Sequence, residues 1–201
     1  MPIRTPFRRT LLLGLMPLLL LGASHARAEG ETPEDGTLVI NGCPIWPYTR
    51  CPGADLRHAA LAGKNLAGAD LSGADLTRAD LRGANLAGAN LEGANLTGAR
   101  LHKASAPSAS FRNARLVAAD LEAARLMRSD FSGADLTAAS LEFARANFAW
   151  FVGAKLIGTN LQEAKFVTVN FRDAVMEGCV TRFAIFPDAA FDNCRGCPTG
   201  W

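Results

Sequence analysis

Between Leu56 and Phe191 every fifth residue is large and apolar in 25 of 28 positions, and the three exceptions are Ala106, Ala146 and Thr181. Two residues before each of these positions stands an alanine in 23 of the 28 cases, the others being Lys64, Ser129, Thr159, Val169 and Cys179. A self-similarity this strict constrains the architecture more than any local propensity does. On an α-helix, a five-residue period turns each apolar residue 140° from the last, so no face collects them. In a flat strand, an odd period sends alternate residues to opposite sides. Both continuous elements are excluded, although Ala and Leu are good helix formers.

The remaining geometry places one corner in every repeat. An extended stretch then carries the alanine and the leucine inward, two residues apart on one face. Glycine two residues after the leucine, as at Gly63, Gly68 and Gly73, supplies the turn. Four corners close a square coil of 20 residues, and residues 20 apart then stack about 4.8 Å apart, like neighbours across a strand ladder. The columns Asp80, Arg100, Asp120 and Arg115, Asp135, Lys155 alternate in sign at that spacing. Like charges would repel by roughly 1 kcal/mol per pair even in water. The 28 repeats predict about seven coils.

Units such as Ala69-Asp70-Leu71-Ser72-Gly73, Ala84-Asn85-Leu86-Ala87-Gly88 and Ala94-Asn95-Leu96-Thr97-Gly98 resemble the pentapeptide-repeat family over about 140 residues. The resemblance implies an all-β fold, a right-handed quadrilateral parallel β-helix, in which the outward Asp and Asn residues are structural. The pattern is broken near Ala106-Pro107 and from Phe143 to Phe148, where a side of the coil is expected to be poorly filled or loosened.

The segments outside the repeats divide the chain further. Residues 1–28 have a basic start (Arg4, Arg8, Arg9), an apolar run from Leu11 to Leu21 and the small-residue site Ala26-Arg27-Ala28. They read as a secretory signal peptide cleaved after Ala28, by either the general or the twin-arginine route. The apolar run is too short to span a bilayer as a helix, so no stable membrane insertion is expected. Residues 29–53 form a flexible lead and an N-terminal cap that includes a short strand at Thr37–Ile40. The solenoid occupies 54–193, and a C-terminal cap occupies 194–201.

In an exported, oxidised protein, periplasmic or secreted, Cys43 and Cys51 are expected to bridge across the front cap. Cys194 and Cys197 are expected to close the rear cap; the alternative is a thiol-disulfide active pair, although no βαβ pattern supports it. Cys179 takes an inward small position, and the sequence leaves open whether it stays a free thiol or pairs with Cys194 or Cys197.

Four of the 21 basic residues and none of the 19 acidic ones fall in residues 1–28, which leaves 17 against 19 and a mature net charge of −2. Bulk attraction to nucleic acid or membrane is thereby excluded. The mature chain has two histidines, His58 and His102, more than two coils apart and beside no evident nucleophile or carboxylate pair, so no enzyme activity, cofactor or metal is expected. Two surface sets are candidates for an interface. Arg125, Arg145 and Lys165 share one column, with Arg128 nearby and with Glu122, Glu142 and Glu163 placed to neutralise them. Phe143, Phe148, Trp150, Val152, Ile157, Val167, Val180 and Phe183 crowd the rear coils, either as an interface or covered by the tail.

The leading expectation is a non-enzymatic exported scaffold that binds an unknown protein partner or dimerises through its C-terminal coils. A DNA-mimicking modulator of type II topoisomerase, a role the family resemblance implies, is opposed by export and by near-neutral charge.

Overall fold

The computed structural model describes residues 36–199, so the expected signal peptide, most of the acidic lead and the terminal Trp201 lie outside the described residues. The first element is a hairpin in which β1 (Val39–Ile40) pairs antiparallel with β2 (Cys43–Pro44), in the register Ile40 to Cys43. Ile40 is buried against the first coil and begins the core.

From there the chain is an unbroken stack. Parallel single-residue bridges run from Arg50 with Asp70 to Val175 with Arg195, one in each repeat, and every one joins residues 20 apart. The fold is the right-handed β-helix expected from the repeats, with no helix among the described residues. The bridging residues form four outer columns. Arg50, Asp70, Asn90, Ser110, Asp130, Trp150 and Asn170 mark the first side, and Asp55, Asp75, Asn95, Arg115, Asp135, Lys155 and Val175 the second. Ala60, Asp80, Arg100, Asp120, Ser140, Asn160 and Val180 mark the third, and Asn65, Asn85, Ser105, Arg125, Arg145, Lys165 and Ile185 the fourth.

The hydrogen bonds of one repeat show why five residues suffice. Asp70 N donates to Thr49 O of the preceding coil at 2.8 Å, while Leu71 N and Gly73 N donate to Asn90 O and Glu92 O of the following coil, each at 2.8 Å. Ala74 N closes the corner onto Leu71 O at 3.1 Å. Only Ser72 N has no backbone acceptor, and the Asp70 carboxylate takes it at 3.2 Å. Every donor is therefore satisfied in a segment that belongs to no regular strand or helix.

That accounting corrects the expectation of a loosened coil at Ala106-Pro107 and at Phe143 to Phe148. Pro52, Pro107 and Pro187 all occupy the one position whose N–H the ladder does not use, so proline removes nothing there. Ala106 N and Ala146 N keep their bonds to Arg125 O and Lys165 O at 2.8 and 2.9 Å. Both alanines are fully buried, and each shares its coil with a phenylalanine, Phe111 or Phe151, which preserves the interior volume. Phe111, Phe131, Phe151, Phe171 and Phe191 form a continuous stack with ring centroids 4.7, 4.9, 5.1 and 5.3 Å apart.

The corners also differ from the glycine reading. The residue two after each inward apolar residue is left-handed in all 28 repeats, and in 17 of them it is not glycine. Arg78, Ala118, Phe143 and Thr168 hold φ of 55°, 54°, 57° and 54°. The inward residue and this corner residue both donate to the next coil, so the ladder imposes the conformation on whatever side chain is present.

Candidate functional site

The outward Asp and Asn residues have a structural task. Asp75, Asn85, Asn95, Asp120, Asp135 and Asn160 each accept the N–H two residues on at 3.0–3.2 Å, the contact already seen at Asp70. A hydrogen bond from Ser72 holds the Asp70 carboxyl below its ordinary range. The Arg57 side chain does the same to Asp55, bringing it to about 2. Arg57 lies 2.6 Å from Asp55 and 3.9 Å from Asp75, so where two acids stack on the second side one guanidinium serves both. The polar residues at inward alanine positions are likewise satisfied. Ser129, Thr159 and Cys179 each donate to a carbonyl 23 residues earlier, on Ala106, Leu136 and Leu156, at 2.6, 2.8 and 2.7 Å.

Cys43 and Cys51 are joined by a disulfide with Cα atoms 5.7 Å apart, which ties the hairpin to the first coil. The sulfurs of Cys194 and Cys197 are in bonding contact at the other end, with Cα atoms 5.9 Å apart. Cys179 is a free thiol, and burial pushes its pKa up, the opposite of what a reactive thiol needs.

His102 has carboxylate neighbours that its sequence context hides. The 20-residue coil sets Glu122 directly above it, with Nδ1 3.8 Å from Oε1, and Asp120 beside both. The sequence expectation that no carboxylate pair stands near a histidine is therefore corrected for His102. The signal was present in the coil length, since 102 and 122 differ by 20. The three are partly exposed on a corner, and their ligand atoms lie within 4.8 Å of one another. They form a surface cluster in which Glu122 approaches His102 with Asp120 beside them, and no metal is assigned to it.

The fourth side is electrostatically unlike the other three. Arg125, Arg145 and Lys165 are successive rungs of one ladder and are exposed. At about 4.8 Å between rungs, each like-charge neighbour costs roughly 1 kcal/mol before screening. Among the described residues none of the three has an ion-pair partner or a side-chain hydrogen bond. The carboxylates expected to neutralise them point elsewhere: Glu122 pairs with His102, and Glu142 accepts from Asn160 Nδ2 and Gln162 Nε2 at 3.0 and 3.3 Å. Lys103, Arg125, Arg145, Phe143 and Ala123 line a groove of about 360 Å³ in this face. Lys103, Ala123 and Phe143 are successive left-handed corners of one edge, so the groove exists because a methyl group stands between a lysine and a phenylalanine.

Of the rear apolar set, Phe143, Phe148, Trp150, Ile157, Val180 and Phe183 are exposed, and the Arg182 guanidinium lies over the Phe183 ring at 4.8 Å. Val152 and Val167 are half-buried. The set does not make one patch. Phe143 and Phe148 flank Arg145 at the two edges of the fourth side and Trp150 continues onto the first, whereas Ile157 lies at the edge between the second and third sides and Val180 on the third.

A stack of square, single-residue-bridged coils with a leucine or phenylalanine interior defines the class as a quadrilateral right-handed β-helix. The chain matches the family model for pentapeptide repeats, in 8 copies over residues 50–86, 74–113 and 114–180, and it belongs to the pentapeptide-repeat family. Among solved structures it is similar to a trypsin-treated variant of QnrB1, a plasmid-mediated fluoroquinolone resistance protein, at 19% identity and a TM-score of 0.60, covering 75% of this chain and 78% of that one. It is also similar to HetL of Nostoc sp. strain PCC 7120, a protein involved in heterocyst differentiation regulation, at 26% identity, 74% and 87% coverage and a TM-score of 0.35. A pentapeptide-repeat protein of the Arabidopsis thaliana thylakoid lumen matches at 29% identity, 52% and 69% coverage and a TM-score of 0.35. At these values the likeness to QnrB1 concerns the fold, and the other two add no functional argument. No curated protein sequence matches the chain.

Proposed function

We propose that this chain is an exported, non-enzymatic scaffold whose rear coils bind a protein partner through the fourth side and its two edges. The observation that carries this reading is the unneutralised column Arg125, Arg145, Lys165, bordered by exposed Phe143, Phe148 and Trp150 on a backbone held rigid by its ladder. Export rests on residues 1–28 and on the bridged cysteines of the front cap. A DNA-mimicking role would need stacked acids where this side stacks cations. Catalysis by Cys194 and Cys197 is opposed by the absence of a thioredoxin-like βαβ frame around them.

The test is crosslinking and capture of the mature protein from the compartment that fractionation of tagged, full-length protein identifies. Trp150→Asp is the diagnostic variant, because aspartate is common at that position of the repeat and is tolerated by the coil. Loss of the captured partner with an unchanged melting temperature supports the reading. Capture that is indifferent to both Trp150→Asp and Arg145→Glu overturns it, and unaltered sedimentation of any dimer in Trp150→Asp or Ile157→Asp removes self-association as its form.

A further inference from the structure

The electrostatics of the fourth side demand a reason, because among the described residues like charges stacked elsewhere are given partners. Asp80, Arg100 and Asp120 alternate up the third side and Arg115, Asp135 and Lys155 up the second, and the stacked acids are engaged by neighbours: Asp55 and Asp75 by Arg57, Glu122 by His102, and Glu142 by Asn160 and Gln162. Only on the fourth side are three cations left facing one another. Two of them, Arg125 and Arg145, line the groove of about 360 Å³ between Lys103 and Phe143. That size falls within the range of small-ligand sites. We propose that this groove is a binding site for a phosphomonoester carried on a ring, an inference that rests on the reading of this side as a binding face and names its ligand chemistry.

Charge selects the group. Arg125, Arg145 and Lys103 bring three positive charges to one notch. A carboxylate or a sulfate ester supplies a single negative charge and leaves the notch strongly cationic. A phosphomonoester supplies nearly two charges at pH 7 and three acceptor oxygens, one for each cation. The two guanidinium forks, on adjacent rungs, suit the tetrahedral group better than ammonium groups would. The ring follows from Phe143, whose exposed side chain forms the apolar wall of the same groove. The open outer side lets the ring's substituents extend into solvent. Glu122 and Glu142 stand on the same corner, one residue before Ala123 and Phe143, and are taken up by His102 and by Asn160 and Gln162, while Glu163, one coil above Phe143, pairs with no cation among the described residues.

The experiment is calorimetric titration of the mature, disulfide-intact protein at pH 7.5 and low salt with phenyl phosphate, phenyl sulfate and inorganic phosphate. Phenyl phosphate is expected to bind at least tenfold more tightly than phenyl sulfate, which has the same shape and half the charge, and more tightly than inorganic phosphate, which lacks the ring. Arg145→Gln should weaken phenyl phosphate about tenfold. Ala123→Asn should abolish binding by filling the notch without changing any charge, and asparagine accepts the left-handed corner, so the fold is kept. Arg115→Gln, on another side, should change nothing. Equal binding of phenyl phosphate and phenyl sulfate, or binding that survives Ala123→Asn, overturns the proposal. Preference for phenyl phosphate without any advantage over inorganic phosphate overturns the ring. A failure here leaves partner capture through Trp150 standing, and a failed capture leaves the titration standing, so the two readings are tested separately.

Discussion

Replacing Ala118 with glycine should stabilise the protein, and the same change one residue later should destabilise it. Ala118 is an exposed corner with φ 54°, and its N–H donates to Thr137 O at 2.9 Å. A residue with a Cβ carries about 1–2 kcal/mol of unfavourable energy in that left-handed conformation. Glycine relieves it, at an unfolded-state entropy cost of about 0.4–1 kcal/mol. The expected net gain is about 0.5–1 kcal/mol, with the hydrogen bond retained. Ala119 points inward and is 1% exposed. Its methyl contributes about 0.8 kcal/mol of burial, and glycine adds about 0.5–1 kcal/mol of backbone entropy, so Ala119→Gly should lose about 1–2 kcal/mol. Urea denaturation of the mature protein, with disulfides intact, compares the two midpoints directly. If Ala118→Gly lost stability like Ala119→Gly, the ladder would not be imposing a strained conformation at the corners, and the reason given for their uniform geometry would be wrong.

Other consequences can be measured on the same preparation. Phe131→Ala, in the middle of the ring stack 4.7 Å from Phe111 and 4.9 Å from Phe151, should cost about 3–5 kcal/mol, seen as a lowered urea midpoint with a retained far-ultraviolet spectrum. The depressed carboxyls of Asp55, Asp70 and Asp80 favour the folded state while they are ionised. Their contribution is complete above the ordinary value of 3.8 and is lost as pH falls toward the folded value, about 2 for Asp55. The urea midpoint should therefore fall across that interval, less steeply in high salt because these groups face solvent. Cys179, half-buried and hydrogen-bonded to Leu156 O, should react with a maleimide more slowly at pH 7.5 in the folded protein than once the chain is unfolded in urea. Fast labelling of the folded protein would contradict its placement.

The interval between apolar residues determined the fold, because an odd five-residue period is compatible with burial only if the backbone turns once per repeat. The coil length of 20 was also readable, from charges that alternate in two columns. The reach of the pattern was less legible. Ala106, Pro107 and Ala146 looked like defects, since a sequence does not show that the third residue of each Asp-Leu-x unit donates nothing to the ladder, nor that a phenylalanine on the same coil fills the space.

Left-handed corners at Arg78, Ala118 and Thr168 run against local preference. They are decided by hydrogen bonds between coils, which no window of the sequence contains. The candidate site divides in the same way. The column Arg125, Arg145, Lys165 follows from arithmetic alone. Whether Glu122 and Glu142 neutralise it depends on which way side chains leave a corner, and only the folded prism turns them toward His102 and Gln162 and leaves the notch above Ala123 open.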